Sequence, residues 1–399
     1  MGTDDRAAVL ASGLLFAFAC SDKGSSPDAT ESVAPPWATA ESAPPPRPGM
    51  IWIPAGTLLA GTPMDKVPRV PDAEMAGEPV QMSGFFIDRF PHPNEPGALP
   101  TSHMTWEEAR ALCEKEDKRL CTELEIERAC KGPDNSPYPY GDVYRPDACG
   151  ESGRGTISPL GLNAGCKSAF GVHDTHGTVW TWTASEWGRK TEGLIATRGG
   201  RGPSGELVGR CAHGEPERPT ARRPDLGVRC CAGPVNPSAV VLEVDRGPAL
   251  KLLTNDEVMI QRLEDLARSL GSLEEGPIQQ GGAAGEAVAA YDAERAWAWR
   301  PAGNERLLLG GGCGRKKSGK WCGVLVARDI AGALKPLSFI ATEDWQPTLG
   351  ETDAAEAVFV HGGDRNGAFR KRVMYEWGRI GIGEKERKRK RKGKKPRYE

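Results

Sequence analysis

Ten cysteines fall between residues 113 and 322, at Cys113, Cys121, Cys130, Cys149, Cys166, Cys211, Cys230, Cys231, Cys313 and Cys322, and an eleventh, Cys20, lies near the amino end. No other feature limits the fold so strongly. In an oxidising compartment an even set of thiols pairs, and each bridge decides which distant segments lie side by side. In a reducing one the same residues read as metal ligands or nucleophiles. The compartment has to be settled first, and the amino end bears on it.

Ala7 to Ala19, AAVLASGLLFAFA, is an apolar run of thirteen residues. It is too short to span a bilayer and the right length for the hydrophobic part of a signal peptide. Cys20 follows, then the abruptly polar SDKGSSPDATES. The pattern is similar to a bacterial lipoprotein signal over residues 1–20, in which Cys20 is acylated and becomes the first residue of a chain anchored in the outer or inner membrane, periplasmic or at the cell surface. Two features depart from it: Ala17 stands where leucine is usual, and MGTDDR sets one Arg against two Asp. A plain secretory signal cleaved nearby is the alternative, and either predicts export. With Cys20 carrying lipid, ten cysteines remain and all can pair, although parity assigns no partners.

Residues 21–48 hold APPWATAESAPPPRPG at their end and no apolar pattern, which predicts an extended, semi-stiff linker. Fifty glycines and 33 prolines make about a fifth of the 399 residues, a composition of loop-rich folds rather than helical bundles. The net charge of −2 conceals a basic end: residues 384–399 carry ten Lys or Arg against three Glu and read as a disordered tail. Export removes nucleic acid as its partner and leaves anionic lipid or cell-wall polymer.

From Met50 the chain reads as globular. MIWIPAGTLLAGTP and VQMSGFFIDRFPHPN have strand patterns with turn residues. TWEEARALCEKEDKRLCTELEIERACKG holds two helices, each opened by a capping box, Thr105 with Glu108 and Thr122 with Glu125. Trp106, Ala109, Leu112 and Cys113 share one stripe of the first, and Ile126, Ala129 and Cys130 one stripe of the second, so both cysteines are expected to face inward.

These segments, followed by YPYGD, FGVHDTHGTVWTWTASEW, RGG and LGVRCC, come in the order of a known family. Over about residues 49–234 the chain resembles the formylglycine-generating enzymes, or sulfatase-modifying factors. The resemblance implies a fold similar to C-type lectins, irregular and loop-rich, and so an α+β chain in which this domain precedes a small β-rich one. It also implies two disulfides, Cys113 with Cys230 and Cys130 with Cys211. By position beside those pairs, Cys121 is expected to join Cys231, which leaves Cys149 and Cys166 to close a local loop.

The resemblance also shows what is missing. Its copper-dependent enzymes bind Cu(I) through two thiolates in the loop before the last bridge. Counting forward from Gly200, those places here are Ser204 and Gly209; counting back from Cys211, they are Arg201 and Glu206. No thiol lies between Gly200 and Cys211, so copper chemistry of that kind is not expected. Near the family's calcium loop the usual Asn and Glu are replaced by Thr178 and Thr181, and hydroxyls are poor Ca2+ ligands beside a carboxylate. Calcium is left with a degraded loop, and no cofactor is predicted. His173 and His176 suggest a metal pair by spacing, but His176 matches a family histidine and reads as a structural hydrogen bond. The family's iron-dependent branch holds its metal with a histidine triad in a separate helical domain, and six scattered histidines offer no such triad. Trp180, Trp182 and Trp187 read first as core, and with Arg198 and Arg201 they form the candidate ligand surface.

After Pro234 the resemblance ends. AVVLEV reads as a strand, and Asn255 to Leu270 as an amphipathic helix with Met259, Leu263, Leu266 and Leu270 on one face, Thr254 and Glu257 as its capping box and Gly271 at its end. Six strand patterns follow, AWAW, RLLLGG, CGVLVAR, LSFIA, AVFVH and RVMYEW, which predict a β-rich domain over residues 239–383. GRKKSGKW nearly fits a phosphate-binding loop, but Trp321 replaces the needed hydroxyl and no helix pattern follows. Cys313 and Cys322 bracket it as a disulfide-closed hairpin tip. The reading is a pseudoenzyme of the cell envelope, a non-catalytic binding or structural module for an envelope protein or glycan; the alternative is an oxidoreductase or protein-modifying enzyme using another site chemistry.

Overall fold

Capping decides where the first helices start. In the computed structural model, which describes residues 43–387 except 151–156, 190, 201–204, 237–239, 241, 243–247, 279–288 and 317–318, α1 spans Trp106–Lys115 and α2 spans Glu123–Lys131. Thr105 and Thr122 are their N-caps, each in a full capping box with Glu108 or Glu125. Cys20, the linker's first residues, most of AVVLEV and residues 388–399 lie outside the described residues.

Two small sheets flank these helices. In one, Phe85–Asp88 pairs antiparallel with Met50–Ile53 and with Cys230–Ala232, and the latter pairs with Arg119–Leu120. In the other, Trp180–Glu186 lies between Ile195–Gly199 and Leu226–Gly227, and Gly214–Glu217 extends it. Five disulfides tie the chain: Cys113–Cys230, Cys121–Cys231, Cys130–Cys211, Cys149–Cys166 and Cys313–Cys322. They are the pairs to which the sequence pointed. Cys230 and Cys231 are neighbours on one strand yet bridge to α1 and to the residue before α2's cap, so one strand clamps both helices.

Helix α2 differs from expectation. Its stripe of Ile126, Ala129 and Cys130 predicted one inward face, but all nine residues are buried, Glu123, Glu125 and Glu127 among them. Arginines brought in from other segments neutralise the carboxylates, which is the condition for burying them.

The second half is one sheet of ten strands built mainly from Ala289–Trp299, Leu307–Lys316, Gly319–Ile330, Ala333–Glu343, Ala357–Asp364, Gly367–Glu376 and Arg379–Arg387. The last strand takes in Glu384 to Arg387, residues that charge alone had assigned to the tail. A single turn, Gly205–Val208, is α3, and Glu257–Leu270 is α4. Helix α4 lays Met259, Leu263 and Ala267 on one face of the sheet against Ala296, Leu308, Leu325 and Phe339. The opposite face carries Trp297, Trp299, Leu309, Val324 and Val373. The cap of α4 is Asp256, whose carboxylate accepts from the Met259 backbone N at 2.9 Å, and not Thr254. Asp is at least as good an N-cap as Thr, and it lies two residues nearer the periodic segment. Strand outweighs helix, 41% to 12% of residues, so the α+β expectation holds only as a mixed, strand-rich fold with few helices.

The two halves are pinned by a buried carboxylate. Glu305 accepts from Arg69 Nη1 at 2.5 Å, Arg328 Nε at 2.6 Å and the Tyr375 hydroxyl at 2.6 Å. Arg69 belongs to the segment between strands Gly56–Gly61 and Ala76–Met82, and its backbone N donates to Trp377 O. Arg328 reaches back to Met64 O at 2.6 Å. The described residues from Ala43 onward accordingly cluster as one compact unit.

Candidate functional site

The end of α2 and the segment after strand Ile195–Gly199 meet at the Cys130–Cys211 disulfide. His176 stands beside it, with Nε2 3.6 Å from Cys130 Sγ. Burial pushes the imidazole down to about 3, helped by the charge of nearby His213, so the ring is neutral. The two sulfurs and this nitrogen lie within 4.8 Å of one another, the only such trio of His, Cys, Asp or Glu donors among the described residues. Both sulfurs are spent in the S–S bond, and a disulfide sulfur is not the thiolate that soft metals require. His173 is not part of this group. It packs on Phe90, with ring centroids 4.9 Å apart.

The loop where copper enzymes carry thiolates has a different chemistry here. Arg201 and Ser204 lie outside the described residues. Glu206, the second place counted back from Cys211, sits on the one-turn α3, and its carboxylate accepts from the Tyr138 hydroxyl at 3.1 Å. Its other oxygen is 3.8 Å from Arg379 Nη2 of the strand-rich half. Tyr138 stacks on Tyr140 at 5.6 Å and meets Tyr144 at 5.7 Å. Burial and the Glu206 charge raise the Tyr138 phenol well above its ordinary value, so it stays a hydrogen-bond donor. This Tyr–Glu contact has no sequence signal of its own, because 68 residues separate the partners.

The candidate ligand surface is not a surface. Trp180, Trp182 and Trp187 are all buried, as is Arg198. Trp182 Nε1 donates to Met104 O at 2.9 Å, and the Arg189 guanidinium lies 3.8 Å from the Trp187 ring. Arg198 Nη2 is 3.0 Å from Glu123 Oε2 and 3.2 Å from Glu127 Oε2, while its Nη1 donates to the carbonyls of Cys211 and Ala212. Glu123 also takes Arg189 Nη2 at 2.8 Å, and Glu127 takes Lys131 Nζ at 2.9 Å. Burial raises the Glu127 carboxyl, but Lys131 and Arg198 outweigh it and hold the group below its ordinary value. Held by fixed cations, these carboxylates anchor the loop, and Glu123 Oε1 is left buried without a hydrogen-bond partner among the described residues. Thr178 and Thr181 are buried too.

Open space lies in the strand-rich half. One cavity of about 580 Å³ is lined by Glu275, Glu343, Lys371, Ile380 and Lys385. Another, about 780 Å³, is lined by Trp345, Gln346, His361, Phe369, Arg370 and Glu386 among others. Sequence reading missed both, since their residues come from separate strands that only the sheet assembles.

Comparison with known proteins places a sulfatase-modifying factor enzyme 1-like domain at residues 91–233. The chain is 28% identical to the inactive C-alpha-formylglycine-generating enzyme 2 of Bos taurus, over 35% of its own length and 52% of that protein's. It is 27% identical to the formylglycine-generating enzyme of Mus musculus, over 33% of its own length and 44% of that protein's. Over 24% of each chain it is 34% identical to the hercynine oxygenase of Mycolicibacterium smegmatis. The chain thus spans about half or less of the length of these relatives. Among solved structures, PvdO from Pseudomonas aeruginosa is 20% identical, with a TM-score of 0.40, over 46% of this chain and 93% of that one.

Proposed function

Residues 91–233 being a sulfatase-modifying-factor domain, we propose that the protein is a non-catalytic binding or structural module of the cell envelope, exported and held there by acylated Cys20. The observation that carries this reading is the state of its sulfur. All ten cysteines in the described residues are in disulfides, no thiol lies between Gly200 and Cys211, and by the count back from Cys211 the second thiolate place of the copper enzymes falls on Glu206, which accepts from Tyr138. A thiolate is the reacting group in that chemistry, and a carboxylate cannot replace it for Cu(I). The domain then serves as a scaffold, with a lectin-like character, and the basic tail supplies a second, electrostatic attachment to anionic lipid or cell-wall polymer. The match to hercynine oxygenase supports an oxidative enzyme as the second reading.

One set of measurements separates them. Thiol titration of the unreduced mature chain is expected to find no reactive SH, and Cu(I), Fe(II) or Ca2+ added to the purified protein is expected to bind weakly and to drive no oxygen consumption. A titratable thiol at Cys211, or tight Cu or Fe binding with oxygen uptake, would overturn the module in favour of the enzyme.

A further inference from the structure

The larger cavity of the strand-rich half is built around an indole. Trp345 follows strand Ala333–Glu343 in a tight turn, held by Trp345 N donating to Thr342 O at 3.4 Å and by the Thr342 hydroxyl donating to Trp345 O at 2.8 Å. Asp344 N donates to Gly363 O at 3.2 Å, which draws the turn onto strand Ala357–Asp364. The indole lies flat against that strand: a Cβ at Gly363 would come within 2.1 Å of its ring atoms, so only glycine admits it. Yet Trp345 remains 47% exposed. A large apolar ring fixed on one side and open on the other, at the mouth of a cavity of about 780 Å³, is a platform.

Flat polar groups surround it. Gln346 is the next residue, and Arg370 Nε donates to Glu386 Oε2 at 2.8 Å with its guanidinium 4.1 Å from the Phe359 ring. Arg387 Nη1 donates to Asp364 Oδ1 at 3.0 Å. Arg370 and Arg387 are thus each held by a carboxylate, Glu386 and Asp364, which fixes their planes at the cavity wall. What it offers is an aromatic face beside paired planar donors and acceptors. A pyranose has the complementary chemistry: a face of C–H groups that lies on an indole, and vicinal hydroxyls that both donate and accept. We infer that this cavity binds a glycan, with Trp345 stacking on a sugar ring and Gln346, Arg370 and Glu386 holding its hydroxyls. The inference deepens the binding-module reading by naming a ligand class, and its readout is separate from thiol or metal titration, so either can fail alone.

The test is binding of the full mature chain to a panel of immobilised neutral and uronate-bearing glycans, with phosphorylated and sulfated polymers alongside, and with Trp345→Ala and Trp377→Ala compared. Trp377 is equally exposed, at 48%, but does not line the cavity, so its variant controls for loss of any surface indole. The expected result is binding to one or more glycans, weakened roughly ten-fold or more by Trp345→Ala and unchanged by Trp377→Ala. Both variants should keep the parent's circular dichroism, since each removes a half-exposed side chain. No binding anywhere on the panel, binding that survives Trp345→Ala, or binding confined to phosphorylated and sulfated polymers and independent of Trp345 would overturn the inference.

Discussion

His176 is neutral because nothing around it can carry its charge. An unfolded imidazole takes up its proton near pH 6.5, whereas this one waits until about 3. Between those values the unfolded chain holds more protons, so stability rises with pH across the window and is lost as pH falls through it. The slope is about 1.4 kcal/mol per pH unit. Replacing His176 with Gln should therefore flatten the curve: between pH 6.5 and 4.5 the urea-unfolding free energy of the parent should fall by about 2 kcal/mol more than that of the variant. Equal losses would mean that His176 is hydrated or charged in the folded state. The spacing of His173 and His176 suggested a metal pair, and only the fold shows one facing Phe90 and the other a disulfide. At single residues, sequence reading did best where chemistry is local, as in the capping boxes of Thr105 and Thr122; Trp180 is core, as first read, whereas Arg198 does not lie on a ligand surface. The burial of Arg198 depends on Glu123 and Glu127 from a distant helix.

Elements are held mainly by their cross-links. The adjacent bridges of Cys230 and Cys231 close loops of 117 and 110 residues, while Cys313–Cys322 spans only 9. In the chain-entropy account a loop of about a hundred residues stabilises by about 5 kcal/mol and one of about ten by about 3. Each clamp bridge alone closes only a short loop while the other stands, so the comparison needs both removed: replacing Cys113, Cys121, Cys230 and Cys231 together with Ser should lose more stability in guanidinium titration than Cys313→Ser with Cys322→Ser. The reverse order would place the weight of the fold on the hairpin. Strand patterns in the second half were legible because alternation and turn residues are written locally, and α4 was legible by its period. Its cap was misplaced by two residues, since Thr254 and Asp256 are both competent and only the backbone path chooses. The clamp on α1 and α2 was legible only through the family pattern, because pairing across more than a hundred residues leaves no local trace.

At the scale of the whole molecule, the resemblance and the strand patterns marked off two domains, and Glu305 joins the two halves through a buried contact. Removing it would strand Arg69 and Arg328 without their carboxylate, and breaking a buried ion pair from one side costs about 3–5 kcal/mol. Glu305→Ala should lower the denaturation midpoint of both halves together, followed by near- and far-ultraviolet circular dichroism; a shift in one half alone would show that they unfold independently. The sequence could not announce this contact, as its partners lie 236 residues apart.

That same carboxylate should keep the two halves joined even after the chain between them is cut. With a protease site inserted between residues 237 and 247, a cut chain should run as two bands on a denaturing gel and still elute as one particle. The amino-terminal fragment would carry the Arg69 plug and the other its socket at Glu305. A form nicked there would keep its halves in register and whatever surface they jointly present.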